Sequence, residues 1–305
     1  MALIAVFMCV NFTACSDDDD LTPDGGSNIP TNTIHYQTTD EKILRLDNED
    51  VFGGAEIISN TYSTTNGYGV LEFSSEVTAI EKRAFENEKT LLSITLPNSV
   101  ASIEDEAFYG CSSLTSATIG NRVKNIGGYA FWRCLNLTSI TIPISVTSIG
   151  DGVFESCEGI EIITIPNSVT TIGREAFSGC SSLTSIEIPN SVTSIEDNTF
   201  AGCTSIASIT IGNNVERIRT SAFANCWSLE SITIPASVTD ITSYAFSGCR
   251  GLTSIYVKRE TPINTSYYVF SEQHYKNATL YVPKGSLTAY KNAENWKYFD
   301  NIVEY

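Results

Sequence analysis

The chain has 305 residues, of which 42% are hydrophobic and 17% charged, and it carries a formal net charge of −17. That balance supports a buried core, while the negative excess repels nucleic-acid phosphates and anionic membrane surface and so argues against both as partners. Only two histidines, His35 and His274, are present, one near each end.

Residues 2–10 are apolar apart from Cys9, and Asn11-Phe12-Thr13-Ala14-Cys15 follows. Such a run is shorter than the roughly 20 residues a spanning helix needs, so residues 1–14 read as an export signal. Phe12-Thr13-Ala14-Cys15 resembles a bacterial lipobox, which implies cleavage before Cys15 and lipidation of its thiol. The acidic run at 16–20 resembles the signal that sends lipoproteins of certain Gram-negative anaerobes to the outer face of the outer membrane. The resemblance implies that the membrane is met only through this lipid. Residues 15–33, rich in Asp, Pro, Gly and Thr, offer little to bury and read as a disordered tether.

Residues 34–69 hold short strand-like runs such as Ile43-Leu44-Arg45-Leu46 and read as an N-terminal cap. From 70 to 270 the chain repeats. Phenylalanines fall at 85, 108, 131, 154, 177, 200, 223 and 246, each 23 residues after the last. Leu71-Glu72-Phe73 is expected to fill the strand slot of the first coil, leading to Val77 and Ile80. Three residues after each phenylalanine from Phe108 on stands a cysteine, and six after stands Leu or Ile. Nine and eleven after stand the inward pair of a strand, such as Ile140 with Ile142. Pro143, Pro166, Pro189 and Pro235 close that strand. A second extended run such as Val192 to Ile195 follows. The segment before each phenylalanine, such as Asp151 to Phe154, reads as one turn of helix with an Asp cap.

A fixed period of this length with an L-x-x-L-x-L core specifies a leucine-rich-repeat solenoid, a repeat α/β fold of mostly short strands. Stacking coils about 4.8 Å apart brings like slots into columns. The seven repeat cysteines then form a buried column. Their Cβ vectors run parallel, which is poor geometry for a disulfide, and no Cys-x-x-Cys or nearby histidine suggests a metal. Residues 271–305 read as a C-terminal cap. In it Thr279-Leu280-Tyr281-Val282-Pro283 is the last strand, a short helix spans 284–291, and Trp296, Tyr298, Phe299 and Ile302 cover the core.

The recurring Ile-Pro-Asn-Ser-Val-Thr-Ser-Ile and Ala-Phe-x-x-Cys-x-x-Leu, with the Tyr-Val-Pro-Lys-Gly-Ser of residues 281–286, resemble the BspA-like leucine-rich repeat over roughly residues 70–305. The resemblance implies a surface protein concerned with adhesion to host extracellular matrix or to other cells. A structural or glycan-capturing envelope lipoprotein is the alternative.

No catalytic constellation, cofactor site or metal site is expected. A nucleophile of the Ser-His-Asp or Cys-His kind has no histidine near it, and no Asp-x-Asp-x-Asp-Gly loop appears. Glu104-Asp105-Glu106 and Glu196-Asp197 read as solvated caps. Binding rests on a surface instead. The outward strand slots carry a row of hydroxyls that includes Thr141 and Thr233 and ends at Tyr256. Tyr109 and Trp132 share one slot in successive coils, and Trp227 stands alone in another. These six are the candidate partner-binding residues, for a protein or cell-surface partner.

Overall fold

The computed structural model describes residues 28–46 and 51–305, so the export signal, Cys15 and most of the tether lie outside the described residues. The repeat is a stack of coils joined by two parallel ladders and a corner of turns. The first ladder is the main strand: Leu91–Thr95, Ser116–Thr118 and Ser139–Ile140, then Ser185–Ile188 and Ser208–Ile211, then Ser231–Ile234 and Ser254–Val257. Its partners sit one period apart, so Ile186 faces Ile209 and Ile232 faces Ile255. The second ladder joins two-residue strands, with Ile80 facing Ile103, Ile103 facing Ile126 and Ile126 facing Ile149.

Between the ladders runs a column of rings. Phe154 and Phe177 stack with centroids 5.4 Å apart, as do Phe177 and Phe200, and the column continues from Phe85 to Phe270. The spacing is a little more than one strand separation, which sets the rings in offset stacking. Every ring from Phe85 to Phe246 is sealed from solvent. Burial of each contributes on the order of 2 kcal/mol.

The corner before each phenylalanine is not a helical turn. Residues two before the ring, among them Arg83, Glu106, Tyr129 and Glu175, adopt left-handed backbone with φ of +62°, +61°, +56° and +58°. This reverses alternate peptide planes. Ala84 and Glu86 close local three-residue turns on Glu81 and Arg83, while Phe85 and Asn87 donate to the Ala107 and Tyr109 carbonyls of the next coil, both at 2.7 Å. A helix would turn all its N–H groups along one chain. Here half of them join coil to coil, which offsets the roughly 1 kcal/mol that a left-handed non-glycine residue costs. The Asp caps are likewise reassigned. Asp151 Oδ1 accepts from the Arg174 N–H at 2.8 Å, and Asp105 and Asp197 accept from Gly128 and Thr220. Each aspartate therefore caps the following coil, not its own.

The cysteines line up as a buried column of free thiols, with no disulfide among the described residues. Each donates to the phenylalanine carbonyl one coil back: Cys111 to Phe85 at 2.9 Å, Cys157 to Phe131 at 3.0 Å, Cys249 to Phe223 at 3.0 Å. A small donor is what this slot needs.

The N-terminal cap departs from expectation. Strand β1 (Thr33–Thr38) runs antiparallel between β3 (Tyr68–Phe73) and the first main strand of the stack, with β2 (Ile57–Ser63) outside β3. Leu71-Glu72-Phe73 thus does not pair with the next coil. Its neighbour Ile34 faces Leu71, and Tyr36 faces Ile94. The antiparallel cap covers the edge of the first main strand and moves the sheet edge out to β2. Phe52 and Phe73 extend the ring column into the cap.

At the other end, helix α1 (Glu272–Asn277) is an element that the period does not announce, and helix α2 (Leu287–Asn292) starts three residues after the expected 284. Thr279–Val282 is followed by one more parallel strand, Asn301–Glu304, whose Ile302 faces Leu280. Trp296 and Phe299 do cover the core, whereas Tyr298 is 48% exposed. Its hydroxyl donates to the Glu294 carboxylate at 2.6 Å, which holds the ring at the surface.

Candidate functional site

The exposed main-strand face is built by alternation. Inward Ile and Leu anchor the strand and turn Ser and Thr out. Where the residue just before a strand is threonine, it does more than meet solvent. The Thr138 N–H and hydroxyl both donate to the Thr115 carbonyl, at 3.0 and 3.2 Å, and Thr184 does the same to Glu161, at 3.0 and 3.1 Å. The outward row itself includes Thr141, which is exposed, and Thr233, which is half-buried beside Tyr256. The Tyr256 ring stacks on Tyr281 with centroids 4.3 Å apart, and Tyr305 meets it edge-on.

On the corner, Tyr109 and Trp132 stack at 4.3 Å and 18°. The Arg133 guanidinium lies 5.0 Å from the Trp132 ring centroid. Glu155 follows in the same slot. Its carboxyl is held above the usual carboxylate range, first by burial and then by the charge of Glu175. Trp227 is 48% exposed, with Arg250 over its face at 5.3 Å.

The six candidate residues therefore occupy four places. Tyr109 meets Trp132, and Thr233 meets Tyr256. Thr141 lies four coils from Thr233, roughly 19 Å at strand spacing, and Trp227 joins neither group. Other exposed aromatics escape a reading by slot. Tyr129, Tyr244 and Tyr268 occupy the left-handed corner position, where side chains point out, and Tyr244 stacks on Tyr268 at 5.6 Å. Two isoleucines, Ile144 and Ile162, are 66% and 69% exposed. The available signal is their slots, which hold Asn in the flanking coils for Ile144 and Ser in the other coils for Ile162.

The acidic candidates have structural tasks. Asp105 and Asp197 accept the backbone bonds described above, and Glu106 is held below the usual carboxylate range by the hydrogen bond from Arg83, with Lys82 also paired to it. His274 is buried in α1. Its Nδ1 accepts from the Ser271 N–H at 3.1 Å, so its Nε2–H donates to the Cys249 carbonyl at 2.8 Å. His35 stacks on Tyr68 in the opposite cap. Among the described residues no group of three or more His, Cys, Asp or Glu could hold a metal ion, and no helix is long and apolar enough to cross a membrane.

Parallel ladders, a ring column and an open face of outward side chains define a repeat protein whose solenoid presents surface. The model of the BspA type leucine rich repeat region matches residues 55–184 and 170–293, in 6 copies, and the chain belongs to that family. A leucine-rich repeat protein from Bacteroides ovatus ATCC 8483 is 25% identical, with a TM-score of 0.55 over 81% of this chain and 67% of that one. The T. pallidum leucine rich repeat protein TpLRR is 32% identical over 51% of this chain and 73% of that one, with a TM-score of 0.48. No curated protein matches.

Proposed function

We propose that the protein is a non-enzymatic binding protein, held at the outer membrane by a lipid on Cys15, that presents its solenoid face to host matrix proteins or to other cells. The observation that carries this reading is the exposed face itself: a row of outward side chains one strand spacing apart, interrupted by the exposed Ile162 and the half-buried Tyr256, suits a macromolecular partner better than an enclosed small molecule. Membership of a leucine-rich-repeat family supports a protein partner. The acidic excess favours partners with basic patches. The test is saturable binding of the purified full chain to a panel of matrix proteins and to cells of other bacteria. Binding to several or one is the expected result, and none across the panel contradicts it. Radiolabelled fatty acid incorporated by the wild type and not by Cys15→Ser tests the anchor.

A second reading, glycan capture, is favoured by the Tyr109–Trp132 stack beside the Glu155 carboxylate, since a flat aromatic face with a nearby acceptor suits a sugar ring. A glycan array in which binding is lost with Trp132→Ala would support it.

A further inference from the structure

The main-strand ladder opens at one step of the stack. Ser139–Ile140 is the last strand of the first sheet, and the next coil contributes only a single bridge, Ile162 to Ser185. The bond that Thr138 makes to Thr115, and Thr184 to Glu161, is missing from Glu161 to Thr138. Ser168 reports the same gap. Its counterparts Ser145 and Ser191 donate to Val123 and Val169 one coil back, whereas the Ser168 hydroxyl has no partner. Elsewhere these two coils stay joined: Phe131 donates to Val153, Thr170 to Thr147, and Ser148 pairs with Thr171. The stack is splayed on its main-strand face alone.

At that opening the two repeat rules for outward residues break. Ile144 stands where Asn121 and Asn167 flank it one coil away, and Ile162 stands where Ser139 and Ser185 flank it. Both line a groove of about 560 Å³ that runs from Ile144 over residues 162–168 to residues 185–189 of the following coil, a size that holds a few residues of chain. Glu187 also lines it, Glu161 stands exposed beside Ile162, and the lining contains no basic residue. The ladder also lapses at Glu230, but there the outward residues are Ser231 and Thr233, so apolar lining is peculiar to the first opening.

We propose that this groove is a strand-addition site for an extended, basic segment of a partner protein. The main-chain groups of residues 162–164 that are not joined to Ser185 line the groove and supply ladder bonds. Ile144 and Ile162 cover aliphatic side chains on alternate positions, and Glu161 and Glu187 receive Lys or Arg. This rests on the surface-binding reading above and names the place and chemistry of one contact.

The test uses the full chain and three fluorescein-labelled, end-blocked peptides. The first is Lys-Val-Lys-Ile-Lys-Val-Lys, the second has Glu for every Lys, and the third is the first with alternate backbone nitrogens methylated. Anisotropy should show binding of the first, with the second and third weaker by about tenfold or more, the effect of about 1.4 kcal/mol. The double variant Ile144→Asn, Ile162→Ser installs the residue types of neighbouring coils. It should keep the wild-type unfolding midpoint and lose about tenfold in affinity. Should it fail to fold, Glu187→Lys serves: it should weaken the basic peptide and strengthen the acidic one. Equal binding of the acidic or methylated peptide, wild-type affinity in the variants, or no binding of any peptide overturns the proposal. So does self-association of the chain that the double variant abolishes, which would make a second copy the occupant. Adhesion of the full chain that persists in the double variant, without peptide binding, refutes the groove and spares the broader reading. Peptide binding without adhesion to any matrix protein or cell does the reverse.

Discussion

The Cys134 thiol donates to the Phe108 carbonyl, 3.3 Å away and one coil back. The bond repeats along the column, and it explains why a thiol recurs where a methyl would fill the space. Burial raises the Cys203 thiol to about 12 and pushes Cys180 and Cys134 well up. Thiolate is the reactive form, so these groups are inert in the folded state. At pH 8 an alkylating reagent should leave Cys111 through Cys249 unmodified in native protein and modify all seven in denaturant, as read by peptide mass mapping. A disulfide-linked peptide from the repeat would contradict this.

Phe177 is stacked on both sides, against Phe154 and Phe200. Phe177→Ala should lower unfolding free energy by about 3–5 kcal/mol, since neighbouring coils are held by ladders and close poorly over the cavity. Phe177→Leu should lose clearly less. Urea titration at fixed temperature measures both.

Asp151 accepts from Arg174 across the coil step. Asp151→Ala leaves that N–H at an exposed edge where water replaces the carboxylate, so the loss should be about 1 kcal/mol. Asp151→Asn keeps an acceptor oxygen and should recover most of it. The comparison of the two unfolding midpoints is the check.

Burial holds His274 and His35 below the ordinary value of 6.5. Above that pH both states are neutral and the full stability is present. As pH falls below 6.5 the unfolded chain takes up protons before the native one, so stability declines toward the folded-state values, by at most about 1.4 kcal/mol per pH unit per group. The half-buried His35 contributes the smaller share. Glu155 acts in the opposite sense, since its raised folded-state value gains stability as pH falls toward 4.5. Thermal melts from pH 7 to 5 should flatten in the double variant His35→Gln, His274→Gln. An unchanged slope would contradict the assignment.

Much of this architecture is legible from spacing. The period sets which side chains meet, so the columns of Phe, Cys and Ile and the pairing of Tyr109 with Trp132 follow from counting. The period is silent on backbone handedness. Glu106 and Glu175 carry no sign of left-handed φ, and the corner reads as a helical turn although it is a ribbon of coil-to-coil bonds. Caps fall outside the period altogether. Leu71 and Phe73 fit the strand slot, yet β1 takes the pairing edge, and the hairpin that permits this is visible only in three dimensions. The binding surface is intermediate. Ile144 and Ile162 break slot rules in plain view, but that they flank an open ladder step depends on the missing bond at Glu161.

The central claim is that successive coils are bonded at one register, phenylalanine corner to phenylalanine corner. Residue-resolved amide hydrogen exchange in the native full chain tests it most directly. The Phe131, Phe154, Phe177 and Phe200 N–H groups donate to the next coil at 2.8–2.9 Å. They should exchange slowly and as a group, while Glu161 and Thr141, on the splayed face, exchange fast. Rapid exchange at the phenylalanines, or protection at Glu161 equal to theirs, would contradict the account.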